Sequence, residues 1–395
     1  MPVAIWDVKN IPDGQNKGEN MKVKVFLVFL LTCVLLTACS TEIEQEDKID
    51  LSKTEQMHMS TLSQSEEILA VFGDDLLLHN YDISKNEYLL FTKKDGKFIE
   101  YNDDNRCMVS SASFVNINNA YYISEVVVDN VNNSEKLRII ELTRDGEINT
   151  IREMMRTEEV SPFIYFTKYD KDSFLLIHRI GSETYIDMFE CKERKFSRFL
   201  TLKSTEERET YLEKVSVNDE KVYIVVFEEG KYFLKVYDKN CLLINTVDLD
   251  IPLLKNSAIL QFHVVGDLFI FENWNSEQAL YTLQNNTLKE IQIDDKRIVS
   301  TGFSNVYEKE PRYIFLTNRN DLLTEEKPNN KLYALDLETQ KIKCKEIVRG
   351  DVVPYINSII YCENGNLVLS IKEDISSQVI FSYLLENEFL CDLYK

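Results

Sequence analysis

Glycine and proline are scarce in this chain, at 11 and 7 of 395 residues. Phosphate-cradling loops need closely spaced glycines, and no G-x-G-x-x-G or G-x-x-x-x-G-K-[ST] stretch occurs. A serine hydrolase of the G-x-S-x-G type is excluded on the same ground, since that motif is missing too. Histidine is rarer still: His58, His79, His178 and His263 are the whole supply, and none stands at metal-ligand spacing beside another His or Cys. No metal and no cofactor is therefore expected. The eight cysteines form no C-x-x-C pair. Positive charge is also short, with 45 Lys and Arg against 66 Asp and Glu, a net charge of −21. Nucleic-acid phosphates are held by basic patches, so nucleic-acid binding is excluded. Apolar runs are short throughout. The longest, Val25 to Leu36, spans twelve residues broken by Thr32, whereas a membrane-crossing helix needs about 20.

That run nevertheless sits in a recognisable setting. Lys22 and Lys24 precede it, Leu36-Thr37-Ala38-Cys39 follows it, and a core of this length suits a signal-peptide h-region of roughly 7–15 residues. The apolar residue, two small residues and cysteine of 36–39 resemble the lipobox of bacterial lipoproteins. The resemblance implies a diacylglyceryl group on the Cys39 sulfur and cleavage between Ala38 and Cys39. Two acyl chains give stable anchoring where one gives only reversible binding. It also implies a body held at the cell membrane on its extracytoplasmic side. Ser40 is permissive for hosts with one membrane or two. Residues 1–20 are polar and unpatterned ahead of Met21, where a signal peptide should begin. Residues 1–20 are expected to be leader, with translation starting at Met21, and 21–38 the signal peptide. Removing 1–38 leaves 357 residues with 41 basic and 63 acidic side chains, a net charge of −22. Such a body should stand off an anionic lipid surface. Residues 39–65 carry no sustained apolar period and read as a flexible tether, although the alternation of Met57 and Met59 also allows a short edge strand.

From Glu66 the texture changes. Short runs rich in Val, Ile, Leu, Tyr and Phe recur, such as Asp75–His79, Phe174–His178, Val222–Phe227 and Leu268–Glu272, and these read as strands. One stretch, Ile151–Glu159, allows a turn or two of helix. Tight polar turns follow aromatic-rich strands at Asp95-Gly96, Asp145-Gly146, Glu193-Arg194, Asn240, Asn285-Asn286, Glu338-Thr339 and Glu386-Asn387, in steps of 45 to 53 residues. The two Asp-Gly pairs suit two-residue hairpins. A four-stranded unit of about 40–50 residues is the period of a propeller blade. The expected fold is all-β: a β-propeller over 66–395 with seven four-stranded blades, at 66–101, 108–151, 162–202, 210–249, 257–293, 297–347 and 355–394. A six-bladed ring or stacked β-sandwiches are the alternatives. Radial repetition explains how a body too long for one conventional core of about 250–300 residues could fold. The body resembles propeller-bearing bacterial lipoproteins in architecture only, and no blade signature of a particular family occurs.

Chemistry is sparsely marked. The 63 acidic residues guarantee chance carboxylate pairs, so a glycosidase cannot be read from them. The loop Asp129–Glu135 offers oxygen ligands but departs from calcium-loop spacing. Each strand histidine reads as a half-buried packing residue. Cys107, Cys191, Cys241, Cys344, Cys362 and Cys391 fall mostly within strands, where a reduced thiol packs as a small hydrophobe; Cys362 with Cys391 is the pair most open to a disulfide. In a four-stranded blade the loop between strands two and three shares a face with the links between blades. That face gathers Trp274, the only Trp after Cys39, with Arg319 and the long insertion 317–330. A loop Trp flanked by amides suits stacking on a sugar or a partner side chain. The leading reading is a monomeric, non-enzymatic surface module binding a protein, peptide or glycan, with Trp274 and Arg319 as candidates and no catalytic residues. An extracytoplasmic glycosidase or lyase is the second, and a solute-binding lipoprotein, which would need alternating helices, the third.

Overall fold

The computed structural model describes most of residues 43–394; residues 1–42, the stretches 102–110, 300–312 and 319–329, several shorter loops and Lys395 fall outside the description. The chain is a β-propeller of four-stranded blades, and its 29 described strands form seven sheets. The first sheet holds β3 (Glu66–Phe72), β4 (Asp75–Asn80), β5 (Glu87–Thr92) and β6 (Lys97–Tyr101). The second holds β7 (Ser111–Ile117), β8 (Ala120–Asp129), β9 (Ser134–Thr143) and β10 (Ile148–Met155). The third runs β11 (Val160–Lys168), β12 (Ser173–Ile180), β13 (Glu183–Glu190) and β14 (Lys195–Lys203). The fourth is β15 (Thr210–Asn218), β16 (Lys221–Glu228), β17 (Lys231–Tyr237) and β18 (Leu243–Asp248), and the fifth β19 (Ile259–Val265), β20 (Leu268–Asn273), β21 (Gln278–Gln284) and β22 (Thr287–Glu290). The sixth contains β23 (Ile298–Val299), β24 (Tyr313–Asn318), β25 (Lys331–Asp336) and β26 (Ile342–Val348); the seventh contains β27 (Tyr355–Tyr361), β28 (Leu367–Lys372) and β29 (Val379–Leu385). Within each sheet successive strands pair antiparallel, and the first strands of neighbouring sheets lie close together, β7 beside β11 and β15 beside β19.

Position within a sheet explains the sequence texture. Second strands are covered on both faces by neighbouring sheets, so β12 and β20 are buried along nearly their whole length and read as continuous apolar runs. Outer strands such as β14 and β18 meet water and alternate. Between the second and third sheets Phe174 is fully buried, with Tyr122, Phe166 and Phe189 rings 5.1, 5.0 and 5.1 Å away. Burying one such ring contributes about 2–3 kcal/mol. A bulge recurs in the first strands, at Leu69, Ala112, Glu213, Leu260 and Asn357.

Three segments differ from the sequence-based expectation. Residues 43–61 are strands, not a tether: β1 (Ile43–Asp50) pairs parallel with β26 as a fifth strand, and β2 (Gln56–Thr61) pairs with β29. An added edge strand draws its hydrogen bonds from the sheet already present, so it needs little apolar surface of its own. Ile49 and Leu51 supply it, 2 % and 0 % exposed between the sixth and seventh sheets. The edge-strand option at Met57 and Met59 is the one adopted. Second, Glu386-Asn387 opens a helix, α1 (Asn387–Leu393), rather than a strand, because β2 already fills the fourth place in the seventh sheet. Tyr394 at its end is fully buried, donating to the Leu332 carbonyl at 2.8 Å, and its own carbonyl accepts from Tyr313 at 3.0 Å. Third, Ile151–Met155 continues β10. The N-terminal strand and C-terminal helix thus lock the two ends of the chain together beside one sheet.

Candidate functional site

Connectivity divides the loops between two faces. Links between sheets and the second-to-third-strand loops share one, here called the link face; the hairpin turns between third and fourth strands lie on the other, the turn face. Trp274 and Arg319 fall outside the described residues, as do Cys39, Cys107 and Cys362, so only the stems of the two loops are seen. Asn273, 1 % exposed, ends β20 and donates through Nδ2 to the Leu253 carbonyl at 3.2 Å. Asn330 opens β25 with Nδ2 donating to the Ile347 carbonyl at 3.4 Å, and Thr317 Oγ1 donates to the Lys331 carbonyl at 3.2 Å. Both candidate loops therefore leave the link face from fixed stems.

The strongest polar constellation on that side joins the second and third sheets. Asp187 of β13 lies 4 % exposed, in line with Phe189 rather than with Ile186 and Met188. A bulge at Phe199 sets Arg198 opposite it, and Arg198 Nε donates to Asp187 Oδ1. From β12, His178 Nε2 stands 2.8 Å from Asp187 Oδ2, and from β10 of the neighbouring sheet Arg152 donates to the same oxygen at 3.3 Å. Burial pushes the Asp187 carboxyl up, but the His178 and Arg198 hydrogen bonds outweigh it and hold the group at about 2. It is ionised at neutral pH and accepts only, so the His178 Nε2 carries the shared proton. The Tyr185 ring carries the layer outward, with Arg198 stacked 3.9 Å over its centroid and the His178 ring 5.3 Å away. His178 is 2 % exposed, and its Nδ1 is buried without a hydrogen-bond partner. A His–Asp pair sealed in this way orients the imidazole and neutralises charge between sheets. The expectation of a half-buried packing histidine thus becomes a fully buried, carboxylate-paired one.

Closer to the first strands, the β15 bulge places Glu213 beside Lys214. Burial raises the Glu213 carboxyl and lowers the Lys214 ammonium, each softened by the other's charge. Tyr165 of β11 and Tyr232 of β17 are pushed up by burial and by the Glu213 charge. Among the described residues this is one raised carboxyl, not a facing pair. Its residues could not be picked out by sequence, because a bulge shifts which parity turns inward.

The turn-face end of the same inter-sheet seam is tied as well. Tyr122 donates to Glu141 Oε1 at 2.8 Å, and Arg194 from the β13–β14 turn donates to Oε2 at 2.5 Å. Burial first, then the Glu141, Asp170 and Asp172 charges, lift the nearby Cys191 thiol to about 11. Among the described residues Cys191, Cys241 and Cys344 are free thiols; Cys391 Sγ donates to Asn387 Oδ1 at 3.5 Å, and its expected disulfide partner, Cys362, lies outside the described residues. Among the described residues no group of His, Cys, Asp and Glu is placed to hold a metal ion, and no helix is long and apolar enough to cross a membrane.

No protein-family model matches the chain, and no curated protein is similar to it in sequence. Solved structures are similar in fold. The β-propeller domain of the trilobed protease from Pyrococcus furiosus aligns over 70 % of this chain and 81 % of its own, at 10 % identity and a TM-score of 0.45. An oligogalacturonate lyase from Vibrio parahaemolyticus aligns over 84 % and 91 %, at 8 % identity and a TM-score of 0.50. YCF48 bound to a D1 peptide aligns over 87 % and 98 %, at 9 % identity and a TM-score of 0.52. At these identities what is shared is the propeller fold.

Proposed function

We propose that this chain is a membrane-anchored extracytoplasmic lipoprotein, acylated at Cys39, whose propeller body binds a protein, peptide or glycan through its link face without catalysing a reaction. The observation that carries the binding reading is how the best-formed polar constellation is used. His178, Asp187, Arg152 and Arg198 are committed to joining two sheets, with the His and Asp 2 % and 4 % exposed. That leaves the loop surfaces as the part free to vary and to bind, as is usual where a rigid scaffold carries loops. YCF48, a solved structure of similar extent, binds a peptide, which is a precedent for a body of this size acting as a peptide receptor. The tether shrinks to the few residues between Cys39 and Ile43, since β1 already belongs to the body.

Cross-linking in living cells tests this, followed by pull-down of the native protein beside a Trp274→Ala strain and a strain lacking 317–330. The expected result is a partner enriched with the wild type and lost in either variant. Equal capture by all three would remove the link face from the account.

The raised Glu213 carboxyl favours one other reading, an enzyme with a single acid, because perturbed carboxylates gather at reactive sites. Glycan or peptide turnover abolished by Glu213→Gln with the fold intact would establish it.

A further inference from the structure

Among the described residues exposed large apolar side chains are few, and three of them are consecutive. Leu242, Leu243 and Ile244 are 62 %, 52 % and 52 % exposed at the tip of the β17–β18 hairpin. They lie on the turn face, the end of the molecule at which every fourth strand begins. The N-terminal strand begins there too. β1 runs parallel to β26 with Ile43 in register with Ile342, the first residue after its own turn. Four peptide steps separate Cys39 from Ile43, and each spans at most about 3.6 Å, so the two Cα atoms lie no more than roughly 14 Å apart. An anchor on Cys39 is therefore tied close to the turn face and cannot reach round to the link face. The helix α1 also starts on this side, where Asn387 donates its backbone N–H to Asn366 of the β27–β28 loop, and it exposes Phe389 by 44 %.

Charge agrees with a lipid surface. The body as a whole is acidic, yet the equivalent turn of the preceding sheet reads Lys192-Glu193-Arg194-Lys195, all four exposed, with Arg194 paired to Glu141 and both lysines facing solvent. An apolar tip with a basic turn is the pairing that interfacial membrane binding uses: apolar side chains enter the headgroup boundary and lysines meet anionic headgroups.

We propose that the Leu242-Leu243-Ile244 hairpin is a second membrane contact, inserted into the anionic lipid surface to which Cys39 anchors the chain, so that the turn face rests on the bilayer and the link face points away. The inference rests on the lipoprotein reading. The lipid chains confine the body near the surface, and the hairpin then acts at high effective concentration, overcoming the repulsion that would keep an unanchored acidic body in solution. Two attachment points in place of one fix the tilt of the ring. The loops with Trp274 and 317–330 are thereby presented outward, where a partner beyond the membrane can meet them.

The test uses the full-length acylated protein in vesicles of phosphatidylcholine and phosphatidylglycerol. Leu243→Trp, and separately Ile244→Trp, is made in a Trp274→Phe background, with Val353→Trp on the link face, 44 % exposed in the wild type, as the control. Lipids brominated on their acyl chains quench only a tryptophan that enters the bilayer. Quenching at 243 or 244 and none at 353 is expected. Acylated protein with no quenching at either hairpin position overturns the membrane contact and leaves the anchor standing. A mass of the N-terminal peptide without lipid overturns the anchor and this contact together.

Discussion

Asp187 shows what one buried carboxylate contributes. Its folded value of about 2 lies below the ordinary 3.8, so it adds stability above pH 4 that is lost as the pH falls from about 4 towards 2. The shift corresponds to about 2 kcal/mol. Urea unfolding of wild type and Asp187→Asn should differ by about that much at pH 7 and converge only as the pH falls to about 2 and below; parallel curves would show that the carboxylate contributes nothing. Thiols give a second check. Cys344, 1 % exposed, and Cys191 are both raised to about 11, by burial in the first place. Alkylation at pH 8 should therefore leave Cys344 untouched until the protein unfolds, and modify Cys191 only slowly. Gly365 is a third. With φ at +84° and Asn387 Cγ 2.9 Å from where a Cβ would stand, Gly365→Ala should cost about 1–2 kcal/mol and loosen the start of α1. Asp187 was not singled out in the sequence, and neither were its partners, because Arg152 belongs to another sheet and the bulge that aims Arg198 leaves no mark in composition.

Among the elements, hairpins were the most legible. Turns placed by sequence at Glu193-Arg194, Asn240 and Asn285-Asn286 fall between third and fourth strands, with Arg194, Cys241 and Asn286 at positive φ. Second strands such as β12 and β20 announce themselves as apolar runs because both their faces are covered. Where sequence reasoning failed, the element depends on a partner distant in the chain. β1, IEQEDKID, is too polar to be recognised alone; it becomes a strand because β26 offers a free edge. Glu386-Asn387 looks like one more hairpin turn, yet the strand it would introduce is supplied from the N-terminus. Two consequences can be measured. Leu51→Ala, at 0 % exposure in the seam between the sixth and seventh sheets, should cost about 3 kcal/mol in urea unfolding. A chain lacking 43–61 should lose the closing strand and become sensitive to trypsin at its C-terminal sheet; unchanged resistance would mean that the two terminal strands do not hold the ends together.

At the scale of the whole molecule, the repeat period was enough to reach a propeller of four-stranded units. The division of the loops between two faces was reachable through connectivity alone. Which loop residues touch a ligand was not, since Trp274 and Arg319 are set in segments without periodic constraint. In the proposed account a ring tied end to end by its N-terminal strand carries its anchor on one side and its binding loops on the other. That arrangement depends first on Cys39. The most direct measurement is metabolic labelling with an azide-bearing fatty acid in cells making the wild type or Cys39→Ala, followed by membrane fractionation. The account predicts label on a wild-type protein that sediments with membranes, and an unlabelled Cys39→Ala protein that leaves them. A wild-type protein without label, or one released from membranes as freely as the variant, would contradict it.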